Sequence, residues 1–278
     1  MAEISASLVK ELRDITNLGM MDCKKALTEA AGDKEKALKI LKERGLAVAA
    51  KRADREATEG VISITGGGAK AYMIKVGCET DFVAKNADFT KLVETIASKY
   101  EKEGDALLAS PDFKNLVAEA TAKTGEKIVA DEAVTFAAAN GFVESYLHTN
   151  KKVGVLAEFS CAAGIKDKAE VKELGRDIVM QIAAMAPVAL SDKDIGEDVK
   201  KEQKEIFMKQ MVDSGKPADV LEKIVLGKLS KHFADLCLLD MPFVKDGKVK
   251  IKDLIARVAK QAGGDIAIVR FKRMQIGK

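Results

Sequence analysis

Tryptophan is absent from this 278-residue chain, and aromatic residues of all kinds make up only 5% of it. Any recognition surface therefore has to be built from phenylalanine, tyrosine and methionine. Histidine is nearly missing as well, His148 and His232 being the only two, which removes most chemistry that runs through an imidazole base or ligand. The four cysteines, Cys23, Cys78, Cys161 and Cys237, stand far apart and never form Cys-x-x-Cys, so no metal-ligand or dithiol spacing arises. Reduced, structural thiols in a cytoplasm are the expected state. No apolar run approaches the roughly 20 residues that span a bilayer. The start, Met1-Ala2-Glu3-Ile4, has neither the basic and apolar regions of a signal peptide nor an Arg-rich transit pattern. An excess of one charge is lacking too: 46 Lys and Arg against 43 Asp and Glu leave a net charge of +3, without the basic stripe of a nucleic-acid binder. The densest basic cluster, Lys51-Arg52 with Arg55, reads as a solvated face.

What is present describes a globular protein. Hydrophobic residues make up 47% and charged residues 32%, and the length suits one large domain or two to three modest ones. Residues 1–55 read as a three-helix unit. Ser5 or Ser7 caps a helix with the stripe Leu8, Leu12 and Ile15; Asn17-Leu18-Gly19 breaks it. Asp22 caps a second helix, and Asp33 a third that stops at Gly45. Lys51 to Gly60 has no apolar period and reads as a linker. A hairpin follows, from Val61-Ile62-Ser63-Ile64 through Thr65-Gly66-Gly67-Gly68 to Ala71–Val76. The glycine triplet is a turn and no phosphate loop, since no Lys-Ser/Thr follows it.

The pattern then repeats. Gly141–Leu147, a polar turn at His148–Lys152, and Val153–Phe159 ending at Cys161 restate the order glycine, strand, turn, strand, cysteine, helix. Ala122-Lys123-Thr124-Gly125 is echoed by Ala259-Lys260-Gln261-Ala262-Gly263. The fold class expected is α+β: the three-helix unit, two related antiparallel-sheet and helix subdomains at 56–140 and 141–278, and an antiparallel helical hairpin inserted at about 188–238. In that hairpin Val199, Ile206, Phe207 and Met211 face Val220, Leu221, Ile224, Val225 and Leu229 across a turn at Asp213-Ser214-Gly215-Lys216-Pro217.

Between the first hairpin and the amphipathic helix Phe89–Tyr100 lies the connector Cys78-Glu79-Thr80-Asp81-Phe82-Val83-Ala84-Lys85-Asn86. Strand alternation points Tyr72, Ile74 and Val76 to one face and ends at Gly77. The residues leave two roles open for Phe82: display from a surface connector, or packing onto the next helix with Thr80 or Asp81 as its cap.

Three motifs in this order resemble the bacterial elongation factor Ts family over essentially the whole chain. They are Leu12-Arg13 with Thr16, Gly19-Met20 and Asp22-Cys23-Lys24-Lys25-Ala26-Leu27; then Cys78 to Lys85; then Ser214-Gly215-Lys216-Pro217 with Glu222-Lys223-Ile224-Val225 and Pro242-Phe243-Val244-Lys245. The chain departs from the family at Asn17-Leu18, at Lys75 and Gly77, and in the turn Thr149-Asn150-Lys151-Lys152. The resemblance implies a guanine-nucleotide exchange factor for the GTPase elongation factor Tu, with no catalytic chemistry and no cofactor, metal, nucleic acid or membrane. It implies that the N-terminal unit, similar to ubiquitin-associated domains, docks on the GTPase through Leu12, Met20 and Met21. Thr80, Asp81, Phe82 and Val83 then disturb the bound Mg²⁺, and Tyr146 and His148 brace another domain of the partner. Self-association, or a 2:2 complex through the third unit or the helical hairpin, stays open. Two adjacent methionines cannot both point inward from one helix face, so at least one is expected at the surface. Asp81 has two candidate roles, capping the next helix or repelling phosphate and metal-ligand carboxylates.

Three rival readings differ from this one in the residues they need. A thiol enzyme built on Cys78 with Glu79 and Asp81 lacks a nearby histidine. A translation-associated scaffold would be indifferent to Asp81 and Phe82. A nucleic-acid binder is opposed by the charge balance.

Overall fold

The computed structural model describes residues 4–16, 18–211 and 218–277. Asn17 and the expected turn at 213–217 lie outside them. Three helices open the chain: α1 (Ala6–Thr16), α2 (Met20–Glu29) and α3 (Lys34–Lys51). Ser5 Oγ accepts from Leu8 N–H and Asp33 Oδ1 from Lys36 N–H, so both side chains satisfy a first-turn donor. Leu12, Cys23, Ala26, Leu27 and Ala37 close a small core between the three.

Two sequence expectations need correction here. Gly19, and not Asp22, is the N-cap of α2; Asp22 sits inside its first turn. Helix α3 does not stop at Gly45 but runs on to Lys51, because another helix lies against it there. A Cβ at Gly45 would stand 3.6 Å from Ala122 Cβ and 3.7 Å from the Ala118 carbonyl. The glycine marks a close helix–helix approach rather than an end.

The next unit is a sheet of β1 (Glu59–Gly67), β2 (Lys70–Cys78) and β3 (Val129–Ala137), with β2 central and both pairings antiparallel. Between β2 and β3 run α4 (Asp81–Ala84), α5 (Ala87–Glu103), α6 (Ala106–Ala109) and α7 (Pro111–Thr124). Ser110 caps α7 by accepting from Phe113 N–H, with Pro111 at its first position. The helical face of the sheet buries Ile74, Val76 and Cys78 against Phe89, Val93, Ile96 and Tyr100. The alternation therefore continues past Gly77 to Cys78. Met73 and Ala71, on the opposite face, are equally buried.

That opposite face is covered by a second antiparallel sheet, β4 (Gly141–Leu147), β5 (Val153–Cys161) and β8 (Ile266–Gln275), with β5 central. Ile62, Met73 and Phe136 of the first sheet pack on Val143, Leu156 and Met274 of the second. Gly154 makes this contact close: a Cβ there would lie 2.6 Å from Ile62 Cγ2 and 2.9 Å from Met73 Sδ. Gly60 and Gly141 open their hairpins at φ +141° and +150°, where a Cβ would strike the carbonyl oxygen of Val76 and of Phe159.

The remaining elements are α8 (Ala169–Met185), α9 (Glu197–Lys209), α10 (Ala218–Leu236), β6 (Pro242–Phe243), β7 (Asp246–Lys250) and α11 (Ile251–Ala262). Helices α8 and α11 cover the outer face of the second sheet, with Ile178, Ile182, Leu254 and Val258 against Val155, Ala157 and Phe159. Helices α9 and α10 pack on one another, and Lys204 pairs with Glu222 at 3.1 Å. Their shared core is narrower than expected: Val199, Ile206 and Val220 are exposed. Ala189 and Ile195, from the segment before α9, fill the inner face of α10 beside Val225, Leu229 and Phe233. The strands of the β6–β7 pair are too short to show alternation in the sequence. Buried Gln181 pins it, donating to Pro242 O at 3.0 Å and accepting from Val244 N–H at 2.8 Å. Mixed helices and antiparallel sheets make the fold α+β.

The contrast between two glycines is testable by urea denaturation. Gly154→Val is expected to cost roughly 2–3 kcal/mol, since overpacking between the sheets has nowhere to go. Gly45→Ala meets only ordinary contacts and gains helix propensity, so it should be neutral or more stable by up to about 1 kcal/mol.

Candidate functional site

The connector leaves β2 at Cys78, whose thiol is buried and donates to Thr80 O at 3.2 Å. Burial pushes that thiol up to about 12, and the carboxylates of Glu126 and Glu59 add to the shift. It is no nucleophile at neutral pH. The enzyme rival built on Cys78 therefore has no reactive group.

Glu79 turns back beneath the connector. One carboxylate oxygen accepts from Arg52 at 2.8 Å and from the backbone N–H of Lys127 at 2.6 Å, and the other accepts from Arg55 at 2.9 Å. These donors hold its carboxyl down to about 2, the Lys127 N–H first among them. The basic cluster expected to be a solvated face is thus the clamp on Glu79. Lys127 completes it by donating through Nζ to the carbonyls of Ala53 and Arg55. Next along, Thr80 donates from N and from Oγ1 to the two oxygens of Glu126, at 2.9 and 2.6 Å.

On this base stands α4, a single turn that would not hold in isolation. Thr80 is its N-cap, accepting from Val83 N–H at 3.4 Å. Neither Thr80 nor Asp81 caps the amphipathic helix α5, contrary to the sequence expectation: its cap is Asn86, whose Oδ1 accepts from Asp88 N–H at 2.8 Å, and Asp81 pairs with Lys85 at 2.6 Å. That pairing lowers the Asp81 carboxyl below its usual range, with Lys152 adding to it. Val83 packs against the helical core from its edge. Phe82 does not pack as core; it is 83% exposed. Leaving a phenylalanine in water forgoes roughly 2 kcal/mol of burial, and Phe82 is the most exposed large hydrophobic among the described residues.

The second hairpin reaches the same region. Ile62 N–H donates to Lys151 O at 2.7 Å, and Lys152 pairs with Glu59 at 2.7 Å, stitching the turn after β4 to the start of β1. His148 lies exposed at that turn with its ring 6.2 Å from that of Tyr146, which is half-buried. Asp81 and Phe82 thus share a side of the molecule with the turn that carries His148 and Lys152. The N-terminal candidates form a separate patch on α2: Met20 and Met21 are 56% and 62% exposed. Leu12 is wholly buried in the three-helix core, so it offers a partner no surface. The exposed apolar residue of α1 is Ile15.

Sequence reasoning missed Arg52, Arg55, Glu126, Lys127, Glu59 and Lys152. Their partners lie far away in the chain, and no local pattern records such pairings.

A family model described as "Elongation factor TS" matches residues 79–278. The chain is 41% identical to Elongation factor Ts of Clostridioides difficile strain 630, over 100% of its own length and 94% of that protein. It is 39% identical to Elongation factor Ts of Chloroherpeton thalassium, over 100% of both. With Elongation factor Ts of Clostridium perfringens strain SM101 the identity is 38%, over 99% of this chain and 93% of the other.

The Glu79 clamp has a pH signature. A carboxyl held at about 2 against an ordinary 4.5 stabilises the fold above pH 4.5 and loses that contribution as pH falls from 4.5 towards 2. Glu79→Gln should therefore be the less stable protein at pH 7, with the gap in urea midpoint closing as pH drops to 2. A gap that stayed constant across this range would mean the carboxylate charge is not what the clamp uses.

Proposed function

The chain belongs to the elongation factor Ts family, and from that premise we propose that Asp81 and Phe82 are its working tip, the element that unsettles the Mg²⁺ site of the partner GTPase. Membership makes the protein a nucleotide exchange factor for elongation factor Tu in translation elongation, acting by binding and not as a catalyst. The observation that carries the proposal is an exposed phenylalanine on a clamped single turn. A rigid aromatic brings a large contact area at small entropic cost. Mg²⁺ demands near-ideal octahedral geometry, so a wedge need displace a supporting element only slightly to weaken the metal and the diphosphate together. Exchange is then reciprocal: factor and nucleotide weaken each other by the same factor, and GTP entry drives the factor off. Asp81 is paired with Lys85, and it presents negative charge to the partner's phosphates and metal-ligand carboxylates when that exposed pair opens.

Around that tip we place two further contacts. The N-terminal unit, residues 1–55 and similar to ubiquitin-associated domains, docks on the GTPase domain through Met20 and Met21, with Leu12 in the small core that holds α1 and α2 together. The half that begins at residue 141 braces a second domain of the partner through Tyr146 and His148. The α9–α10 pair is the element available for self-association.

Release of labelled GDP from elongation factor Tu in the presence of Mg²⁺ tests the tip. Phe82→Ala should slow factor-stimulated release roughly 30-fold while binding persists, the size of a hot-spot loss. Met20→Glu should instead raise the factor concentration for half-maximal release roughly tenfold and leave the saturating rate intact. Stimulation that ignores Phe82 would move the mechanism elsewhere on the surface, and no stimulation by the unaltered chain would favour a scaffold.

A further inference from the structure

Thr80 is held at every one of its polar atoms. Its carbonyl accepts from Ala84 N–H and from the Cys78 thiol, each at 3.2 Å. Its N–H and its hydroxyl both donate to one side chain, Glu126, at 2.9 Å to Oε2 and 2.6 Å to Oε1. Thr80 is also the last residue before the turn that carries Asp81 and Phe82. Whatever fixes Thr80 therefore aims that turn.

The carboxylate of Glu126 is spent on this one residue. Among the described residues no lysine or arginine pairs with it: Arg52 and Arg55 go to Glu79, and Lys127 Nζ goes to the carbonyls of Ala53 and Arg55. The hydroxyl contact has the length of a charge-assisted O–H···O⁻ bond, roughly twice as strong as a neutral one. It also settles which way the hydroxyl points. Thr80 Oγ1 carries a single proton, and because Glu126 takes it, the lone pairs are left to accept from Val83 N–H. An amide in place of the carboxylate has one oxygen, enough for only one of the two Thr80 donors.

Glu126 is itself well anchored. It follows Gly125, left-handed at φ 72°, which ends α7. Its N–H donates to Thr124 Oγ1 at 3.3 Å, and that hydroxyl donates to Ala120 O at 2.8 Å. Two residues on, Ile128 N–H donates at 3.2 Å to Oγ1 of the buried Thr121. The loop between α7 and β3 is thus bonded to α7 on both sides of Glu126.

We propose that Glu126 is a positioning residue for nucleotide exchange: it fixes the direction in which α4 presents Phe82, and so sets the rate of GDP release within the complex and not the affinity of docking. The assignment rests on the reading of Asp81 and Phe82 as the working tip. Glu79 holds the strand end that precedes the turn, whereas Glu126 holds the turn's own cap. Met20, Met21, Tyr146 and His148 take no part in this network, so docking through them does not need it.

The test is release of labelled GDP from elongation factor Tu, measured with the full chain over a range of factor concentrations. Glu126→Gln keeps the shape and removes one acceptor. It should lower the saturating rate roughly tenfold and leave the half-maximal concentration where it was. In a Phe82→Ala background the same change should cost nothing further, because Glu126 acts only through the tip. Thr80→Val removes the hydroxyl and keeps Glu126; it should slow the same step, and the two changes together should slow it by less than the product of their separate effects. Urea transitions ensure that folded proteins are compared. The assignment is overturned if Glu126→Gln matches the unaltered chain, slows release as much without Phe82 as with it, or raises only the half-maximal concentration. A Phe82→Ala protein that matches the unaltered chain would instead overturn the tip reading itself, a failure visible without any change at Glu126.

Discussion

The carboxylate of Glu79 draws donors from two separate places: the turn after α3, through Arg52 and Arg55, and the loop before β3, through the Lys127 backbone. This convergence is what lets one turn of helix stand out from the end of the central strand β2. An isolated turn fixes many dihedrals for few hydrogen bonds and melts. Here the ordering is supplied from below, by Glu79 and by the two Thr80–Glu126 bonds, so Phe82 can face water and still be held in place. A contact residue ordered in advance loses little entropy on meeting its partner.

The clamp also joins units that the chain separates. Arg52 and Arg55 belong to the end of the three-helix segment, and Lys127 reaches back to the carbonyls of Ala53 and Arg55. Together with the Gly45 crossing on α7, this ties the N-terminal helices to the first sheet by polar and apolar contacts at once. The second sheet is tied in on the far side by the Gly154 contact and by the Lys151 and Lys152 bonds to β1. A side chain at Gly154 would have to shift Ile62 and Met73, because interiors have few voids to absorb a methyl group.

Much of this was legible in the residues. The α+β class, the two hairpins, the Ser110-Pro111 and Asp33 helix starts and the position of the connector all follow from short-range patterns: alternation, 3.6-residue stripes, turn glycines and caps. The errors were also local rules met by distant contacts. Gly45 has the look of a helix stop, yet α7 lies against it. Arg52 and Arg55 have the look of a solvated face, yet Glu79 lies across from them. Leu12 belongs to a motif of the family, but its side chain is spent inside the small core and cannot reach a partner.

By itself the sequence determined which segments are helix and strand and where the unusual connector falls, because backbone propensity and hydrophobic period are encoded within a few neighbouring residues. It also carried the family, through motifs long enough to be specific. Only the tertiary structure decided whether Phe82 packs inward or faces solvent, and which charges hold the connector. Those outcomes depend on pairings 24 to 48 residues apart, and the energy of such a pair resides in the distance between groups that the chain order does not record.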